Sequence, residues 1–379
     1  MSARTSSGPG ILTRILGSQW FVSVLAVLIA FVIGAVLIAL SGASVLDAYY
    51  AMFRGSIIDP NAATFVRQIK PLTDSLFYSI PLIISGLGLA LGFRAGLFNI
   101  GGKGQIIVGA LAAVWVGFAV NLPPVVHTLV ALLVAIVAGG LYAGIAGVLK
   151  AKTGANEVIV TIMLNSIATL GLGYTLAQKA WQVPGTNQPV TPKVADSAAL
   201  VRLLPAPFKL HVGFLVAIVA LGVFWWLIER STLGFQIRAV GANAAAARTA
   251  GISVERITAI TMVLSGAFLG LAGANEALGT IGYVSRDVAG SIGFDAITVA
   301  LLGRNKTWGT FGAGLLFGAF KAGGYTMQAK GVPIDMILIL QSVIVLLIAA
   351  PALVRWLFRL PDVRALAAQT RKGNADEHK

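Results

Sequence analysis

The sequence contains no cysteine, only three histidines and few charged residues. The absence of cysteine excludes disulfides, thiolate metal sites and a cysteine nucleophile. His127, His211 and His378 pair with no carboxylate at the spacing of a metal site or of a nucleophile and its base. A phosphate-binding loop of the form G-x-x-x-x-G-K-S/T is also missing, since the GGKGQ run at 101–105 lacks its spacing and its hydroxyl residue. The sequence therefore indicates neither an enzyme nor a chain that hydrolyses ATP by itself.

The composition is that of a membrane protein. Of the 379 residues 57% are hydrophobic and 11% charged, and the mean hydropathy is +0.86, which is too apolar for a soluble protein of this size. Continuous apolar runs of about twenty residues recur, the length that a helix needs to cross the hydrocarbon, whereas barrel strands are short and alternating. The 44 glycines suit membrane helices that pack closely at small residues. We therefore predict an all-α, polytopic membrane protein.

About ten transmembrane helices are predicted. Pro81 lies inside the second span and is expected to kink or break it. The apolar run at 294–302 is too short to cross alone and predicts a half-span or a broken helix near the midplane. The predicted spans are 20–40, 72–93, 106–120, 126–149, 158–177, 212–228, 259–278, the half-span 294–302, 311–327 and 333–351, with an amphipathic surface segment at 45–53.

The positions of lysine and arginine predict the orientation of the chain. The net charge of +14 is spread over short loops rather than gathered in one stripe, so it indicates topology and not a nucleic-acid partner. With a cytoplasmic N-terminus and ten crossings, the inner loops carry about twice as many basic residues as the outer ones. This predicts a single transmembrane domain, 1–379, with a cytoplasmic lead (1–18), an extracytoplasmic proline-rich loop (178–210), a cytoplasmic segment (229–258) and a cytoplasmic tail (353–379).

The chain also reads as two related halves. Each has a long span, then a glycine-rich irregular stretch with basic residues, then a span of small residues: GLFNIGGKGQ precedes IIVGALAAVWVGF, and ALLGRNKTWG precedes FGAGLLFGAF. Such pseudo-symmetry predicts a solute path between the halves.

Polar residues at membrane depth are the candidates for binding a solute, because each costs free energy unless it faces protein or water. Glu276 either lines a ligand cavity or bonds to a neighbouring loop, and Lys321 either contacts the solute, snorkels or pairs with Glu276. Amides such as Asn165 and Gln341 are also suited to hydrogen bonds between helices. The candidate solute-binding residues are Asn275, Glu276, Asn165, Asn99, Gln105 and Lys321, and with nearby aromatic residues they suit a neutral polyhydroxylated or heterocyclic solute.

The basic segment at 229–258 has a pattern of its own. Gly241 and Gly251 bracket a short alanine-rich, helix-prone run, with Asn243 placed as its N-terminal cap and Arg248 in its last turn. A linker between two membrane helices needs neither the length nor the pattern. The segment is therefore predicted to be the part through which a partner outside the membrane moves the spans, the alternative being a surface helix that shields the inner mouth.

Four runs resemble one known family. FRAGLFNIGGKGQ, QIRAVGANAAAARTAGI, LSGAFLGLAGANEALG and GFDAITVALLGRNKTWG are similar to permease subunits of bacterial ABC importers of the branched-chain amino acid and simple-sugar type, above all to purine-nucleoside importer permeases. The resemblance implies that 241–251 is a coupling helix seated in a groove of an ATPase. The coupling residues that it implies are Arg238, Gly241, Asn243, Ala247, Arg248 and Gly251.

The resemblance also implies the partners. Two permease subunits, identical or homologous, pair with cytoplasmic ATPase subunits that bind ATP and Mg, and an extracytoplasmic binding protein delivers the solute to the bacterial inner membrane. No cofactor is expected in this chain. Purine nucleosides are the expected solute, monosaccharides of the ribose type are the alternative, and a proton-coupled transporter that uses Glu276 is a third possibility.

Overall fold

The computed structural model describes residues 19–329 and, beyond them, residues 331–333, 336, 338–339, 342–343, 346–347, 354–356 and 358–359. Within residues 19–329 the elements are helices, without a strand, and one isolated bridge joins Arg202 to His211. The helices are α1 (Gln19–Leu40), α2 (Val45–Ser56), α3 (Phe65–Arg94), α4 (Gly102–Ala119), α5 (Val126–Thr153), α6 (Glu157–Ala177), α7 (Gly213–Trp225), α8 (Thr232–Ala242), α9 (Ala244–Thr249), α10 (Val254–Asn275), α11 (Ile292–Leu302) and α12 (Thr307–Gln328). A 3-10 turn (Lys179–Trp181) and two π-helical turns, π1 (Trp226–Arg230) and π2 (Glu276–Ile281), complete them. The predicted all-α fold is confirmed.

Six helical stretches in the described part of the chain are long and apolar enough to cross a membrane. They are Phe65–Arg94, Gly102–Ala119, Val126–Thr153, Glu157–Ala177, Gly213–Arg230 and Val254–Ile281, and two shorter apolar helices are Val24–Leu40 and Ile292–Leu302. The chain is thus a multi-span membrane protein, and the expected short helix near 294–302 is present. The count of ten crossings and the two related halves stay predictions, because Gln341, residues 1–18, and most of the predicted tenth span and tail lie outside the described residues.

The break that was one expected effect of Pro81 does not occur. Helix α3 continues from Phe65 to Arg94 through both Pro71 and Pro81. Each proline removes only one backbone donor, and a membrane helix tolerates this loss where neighbouring helices pack around it. Residues 79–92 of α3 are all buried, so neighbouring elements pack around the helix at Pro81.

Helix α10 lies at the centre of the largest compact unit, Met52–Thr326, and packs on α3, α4 and α5. Its contacts are made backbone to backbone at glycines: a Cβ atom at Gly266 would lie 2.3 Å from the carbonyl oxygen of Gly139, and one at Gly109 would lie 2.4 Å from the Cα of Gly270. These glycines therefore serve close packing of helices within the chain, as the glycine content predicted.

The proline-rich loop is ordered and lies on the segment that follows α10. Backbone N–H groups of Thr191, Val194 and Leu200 donate to the carbonyls of Val284, Gly282 and Leu278 at 3.0–3.1 Å. At the other side of the loop, His127 at the start of α5 contacts the hydroxyl of Ser197 at 2.8 Å and the carbonyl of Val116 at 3.0 Å. The loop and turn π2 are thus joined by several hydrogen bonds.

A second compact unit consists of Met1–Ala51 and Met327–Lys379. In it the hydroxyl of Tyr49 donates to the backbone carbonyl of Phe31, and the two rings meet edge-on with centroids 5.4 Å apart. The candidate site described below lies wholly within Met52–Thr326.

Candidate functional site

A cavity of about 440 Å³ lies beside turn π2. It is bounded by α3, by the end of the proline-rich loop, by π2 and by α12. Its wall contains three cationic side chains and one carboxylate. The lining residues are Phe77, Tyr78, Pro81, Arg202, Lys209, Glu276, Gly279, Thr280, Ile292, Lys321 and Tyr325.

Glu276 and Lys321 both line this cavity, but their charged atoms are not within 4 Å of each other, so the direct ion pair that was one expectation is absent. Glu276 is the first residue of π2, and both side chains are partly exposed. Because neither is neutralised by direct contact, both remain able to bind the polar groups of a solute: Glu276 as an acceptor and Lys321 as a donor.

Two tyrosine rings form the aromatic wall of the cavity. Tyr78 of α3 and Tyr325 of α12 have centroids 5.4 Å apart with their planes tilted by 37°, and the ammonium of Lys209 lies 6.0 Å from the centre of the Tyr78 ring. Stacking of aromatic rings and contact of a cation with a ring face are both favourable. The wall can therefore hold a flat ring.

The same two tyrosines and Lys209 also border a second cavity of about 600 Å³. Its wall carries two ion pairs, Arg54 with Asp59 at 2.6 Å and Lys70 with Asp74. The two cavities follow one another along α3, so that Tyr78 lies between a charged chamber and the chamber that holds Glu276.

Asn275, the last residue of α10, is fully buried, and both its amide nitrogen and its amide oxygen lack a hydrogen-bond partner. His211 is likewise buried, with 1% of its surface exposed. Its Nδ1 accepts from the backbone N–H of Gly213 at 3.1 Å, and its Nε2 has no partner. Burial lowers the pKa of His211 from 6.5 to about 4, so the ring is neutral near pH 7.

His211 and Asn275 lie next to each other behind the cavity wall. A Cβ atom at Gly213 would lie 2.2 Å from the Asn275 amide nitrogen and 2.6 Å from Nδ1 of His211, and one at Gly279 would lie 2.6 Å from Nε2 of His211. Phe77 contacts the imidazole edge-on with centroids 5.5 Å apart. Because Phe77 and Gly279 line the cavity, the polar pair is separated from it by one layer of residues.

The other three candidate solute-binding residues do not lie at the cavity. Asn99 and Gln105 exchange two amide hydrogen bonds of 3.0 and 3.1 Å, and Asn99 also donates to the Ser265 hydroxyl and accepts from the Gly101 N–H. Asn165 of α6 accepts from the N–H of Gly104 at 2.7 Å. Its amide nitrogen donates to the carbonyl at position 100 at 2.8 Å. Their amides thus hold the glycine-rich turn between α3 and α4.

The basic segment after α7 forms two helices, of which the first, α8, was not foreseen. The predicted short helix is α9, and the oxygen of Asn243 caps it by accepting from the N–H of Ala246 at 3.0 Å. It ends in a left-handed glycine, Gly251, whose N–H donates to the carbonyl of Arg248 while Ile252 donates to that of Ala247. The cap and the terminating Gly251 are confirmed as structural features, whereas Gly241 lies inside α8 and does not bracket α9.

Helix α8 rests on the end of α3, and α9 packs on α8. A Cβ atom at Gly241 would lie 2.1 Å from the carbonyl oxygen of Arg94, so only glycine permits this contact. Arg94 in turn donates from Nε to the carbonyl of Asn305 at 2.8 Å and lies 3.5 Å from the Glu229 carboxylate. One arginine thus joins the ends of α3, π1 and α11.

An open, mainly apolar groove of about 570 Å³ runs between α8 and α9. Phe235 and Ala246 lie on it and are exposed, whereas Ala247 is buried at its base. Arg248 is exposed, and Arg238 is partly buried with one guanidinium nitrogen lacking a partner. The predicted coupling residues therefore cluster at one end of the molecule, on a surface that a partner can reach.

Sequence reasoning missed His211, Arg202, Lys209 and Tyr325 as residues at or behind the cavity. Three of them belong to the loop before α7, which carries no periodic pattern. Their relation to the cavity depends on the fold of this loop over π2, and no spacing in the sequence indicates it.

Comparisons with known proteins agree with this architecture. A family described as branched-chain amino acid transport system / permease component matches residues 72–349. The guanosine ABC transporter permease protein NupP of Bacillus subtilis is 38% identical over 349 residues, which are 89% of this chain and 95% of that protein.

Two further relatives are named for a sugar and for nucleosides. The glucose ABC transporter permease protein TsgB13 of Haloferax volcanii is 36% identical over 85% of each chain, and the nucleoside ABC transporter permease protein NupB of Lactococcus lactis is 30% identical over 92% of this chain and 94% of its own. No solved structure matches the chain significantly. On the strength of the family match and of these full-length relatives, the chain belongs to the permease component family of branched-chain amino acid transport systems.

Proposed function

We propose that this chain is one permease subunit of an ATP-driven importer for nucleosides, and that the cavity beside Glu276 lies on its solute path. The single observation that carries the proposal is this cavity, in which a carboxylate and an ammonium line one chamber without pairing with each other, next to two tyrosine rings. A nucleoside offers a flat base for the rings and hydroxyl and ring N–H groups for the charges. The names of NupP and NupB support nucleosides, and purine nucleosides are the favoured class.

Within this function, Glu276 and Lys321 face the solute path, and Asn275 lies one layer behind it. Asn99, Gln105 and Asn165 act indirectly, by holding the turn from which α4 starts. ATP and Mg are bound by partner ATPase subunits, and this chain contributes no covalent chemistry.

Helix α9 couples the permease to the ATPase. It is short and mostly exposed, and Arg248 is its one large side chain. It packs on α8, which rests through Gly241 on α3, the helix that lines the cavity. Movement of α9 is thus passed through α8 to α3, and along α3 to Tyr78. Since this end also carries Arg94, Lys150, Arg230 and Arg248, we place it and both termini on the cytoplasmic side. The exposed rings of Trp225, Trp226 and Trp308 mark the interface there.

A second permease completes the pair. Bacillus subtilis has another guanosine permease protein, NupQ, which is 28% identical to this chain. The existence of two related permeases with the same solute in one organism supports a partner that is homologous rather than identical. An extracytoplasmic binding protein delivers the solute on the side of the proline-rich loop, at the inner membrane of a bacterium.

Proteoliposomes test the function directly. We expect uptake of labelled guanosine by the assembled complex of this chain, the second permease, the ATPase subunits and the binding protein, only when ATP is present. Competition by excess ribose or glucose instead of unlabelled nucleosides would support the sugar alternative. Accumulation by this chain alone in a pH gradient would support a proton-coupled transporter.

Two variants connect the function to the cavity and to α9. Glu276→Gln keeps the size of the side chain and removes its charge, and we expect it to reduce guanosine uptake far more than the amount of assembled complex. Because the chain has no native cysteine, Ala246→Cys allows site-specific crosslinking to the ATPase. Failure of this residue to crosslink, with normal crosslinking at the opposite end, would contradict the coupling role.

A further inference from the structure

Two buried histidines and two buried asparagines differ in their hydrogen bonding. In His127 and Asn99 the polar side-chain atoms have partners, whereas in His211 and Asn275 some or all of them do not. His127 has a partner at both ring nitrogens, and Asn99 uses its amide in four hydrogen bonds. His211 has one partnerless ring nitrogen, and in the part of the chain that the structure describes only Asn275 has two partnerless buried side-chain atoms. The unsatisfied pair are neighbours, and both lie directly behind the cavity.

We propose that His211 and Asn275 form a hydrogen-bonding recess that receives the polar edge of the solute's ring when turn π2 moves, an inference that rests on the proposed function. A buried polar group without a partner costs free energy, and proteins keep few of them. Where such groups persist, they mark a place where stability is given up for function. Three partnerless atoms in two touching residues, next to a cavity of a permease, are accounted for if the solute supplies the partners.

The layer that closes the recess is thin. Gly279 carries no side chain, and its backbone lies against the imidazole of His211. Glu276, which lines the cavity, immediately follows Asn275 in the chain. A displacement of Gly279 with turn π2 therefore brings the recess and the cavity into one space.

Turn π2 is the segment that has to move in this proposal. It is a π-helical turn, an arrangement found often at functional sites, and it ends at Gly282 in a left-handed conformation with φ of 80°. Its residue Leu278 and the following Gly282 accept hydrogen bonds from the proline-rich loop. A movement of this loop, to which His211 also belongs, is passed to the turn.

The donors and acceptors of the recess define the chemistry of the ligand. Because Nδ1 of His211 accepts from Gly213, the ring proton is on Nε2, which is a donor. The Asn275 amide offers a donor and an acceptor side by side. Such an amide pairs with a ring that carries an N–H next to a carbonyl, in the way that the amides of Asn99 and Gln105 pair in this protein. The recess thus suits a base with a lactam edge, as in guanine, with Nε2–H donating to a second acceptor.

The matched residues provide the test. In the purified complex without solute, Asn275→Leu removes two polar atoms that have no partner, so we expect an unchanged or higher Tm. His211→Phe also removes the acceptor of the Gly213 N–H, and we expect it to lower the Tm less than His127→Phe, which removes two satisfied nitrogens. The control variants Asn99→Leu and His127→Phe remove satisfied groups and are expected to lower the Tm. His211→Gln, which keeps a donor in a smaller side chain, covers the case in which Phe does not fit between the glycines.

Transport gives the second readout. We expect Asn275→Leu to raise the KM for guanosine by about tenfold or more, because the variant loses about two hydrogen bonds between uncharged groups. It should also remove the preference for guanosine over N1-methylguanosine, because the methyl group blocks the lactam edge of the latter. His211→Gln keeps a donor and should have a KM close to that of the wild type. A Tm loss in Asn275→Leu equal to that of Asn99→Leu would overturn the recess, as would an unchanged KM.

The failure of this inference is distinguishable from that of the proposed function. A wild-type complex that imports nucleosides, with variants of unchanged KM and selectivity, overturns the recess alone. A wild-type complex that imports a sugar and no nucleoside overturns both the proposed solute and the lactam chemistry of the recess.

Discussion

Arg94 donates a hydrogen bond from its Nε to the backbone carbonyl of Asn305 at 2.8 Å, although 211 positions separate the two residues in sequence. The same guanidinium lies 3.5 Å from the carboxylate of Glu229. Helix α3, which lines the cavity, is therefore fixed at its end to the turns that follow α7 and α11. Next to this junction Gly241 lets α8 rest on the Arg94 carbonyl. The ends of α3, π1 and α11 thus meet at one place beside α8.

Loss of this junction should uncouple transport from ATP hydrolysis. We expect Arg94→Ala to lower ATP-dependent uptake about tenfold or more, because hydrogen bonds of charged groups contribute about 1.5–3 kcal/mol. ATP hydrolysis by the complex should persist, since no residue of the ATPase changes. Arg230→Ala is the control, because Arg230 is exposed at the same end and contacts only the ring of Trp225 among the described interactions. Equal uptake in both variants would contradict the role of Arg94.

The contact at Gly241 should tolerate no side chain. In Gly241→Ala the new Cβ would lie 2.1 Å from the Arg94 carbonyl oxygen, and the backbone cannot yield without separating α8 from α3. We expect strongly reduced uptake with an assembled complex, measured by co-purification of the ATPase. Gly222→Ala in α7 is the matched control, because no atom lies within 4 Å of its new Cβ and alanine favours a helix. It should transport normally.

The amide pair of Asn99 and Gln105 should contribute to stability as a unit. Asn99→Leu leaves Gln105, Ser265 and the Gly101 N–H without a partner, at about 1–3 kcal/mol for each buried group. Thermal unfolding of the purified complex should show this loss. The double variant with Gln105→Leu should lose less than the sum of the single variants, since each removes what the other leaves unpaired. Additive losses would mean that the two amides act independently.

The buried His211 should make stability depend on pH. Its pKa is about 4 in the folded protein and 6.5 when exposed, so between these values the unfolded chain binds more protons than the folded one. The contribution is therefore absent above about pH 6.5, and the stability of the fold decreases as the pH is lowered from there towards 4, by up to about 3 kcal/mol. Comparison of wild-type and His211→Gln unfolding over this range isolates the effect from that of the carboxylates. Parallel pH profiles would exclude it.

Much of the fold was predictable because a membrane imposes simple rules on sequence. Apolar length predicted α4, α5, α6, α7 and α10 within a few residues, and the glycine content predicted close packing. The cap at Asn243 and the left-handed Gly251 were predictable too, because capping depends on neighbours in sequence. Pro81 was misleading, since the cost of a lost backbone donor depends on the packing around the helix.

The site was predictable only in part. Glu276 and Lys321 were found because a charge in an apolar run is conspicuous wherever it lies, and the structure puts both on one cavity. Asn99, Gln105 and Asn165 are conspicuous for the same reason, yet their amides are already bonded within the chain. Sequence alone cannot separate these cases, because it shows that a polar group needs a partner but not whether the fold supplies one.

The sequence by itself determined the class of the molecule, a helical membrane protein with a short capped helix between two spans. Composition, span length and local caps are properties of neighbouring residues. Only the tertiary structure decided which polar side chains remain without partners. Asn275 and Asn99 are both buried asparagines, and they differ because α4 and α10 meet around one of them and the proline-rich loop folds past the other. Whether a buried polar group finds a hydrogen-bond partner depends on elements that are distant in the chain, and no local sequence pattern predicts it.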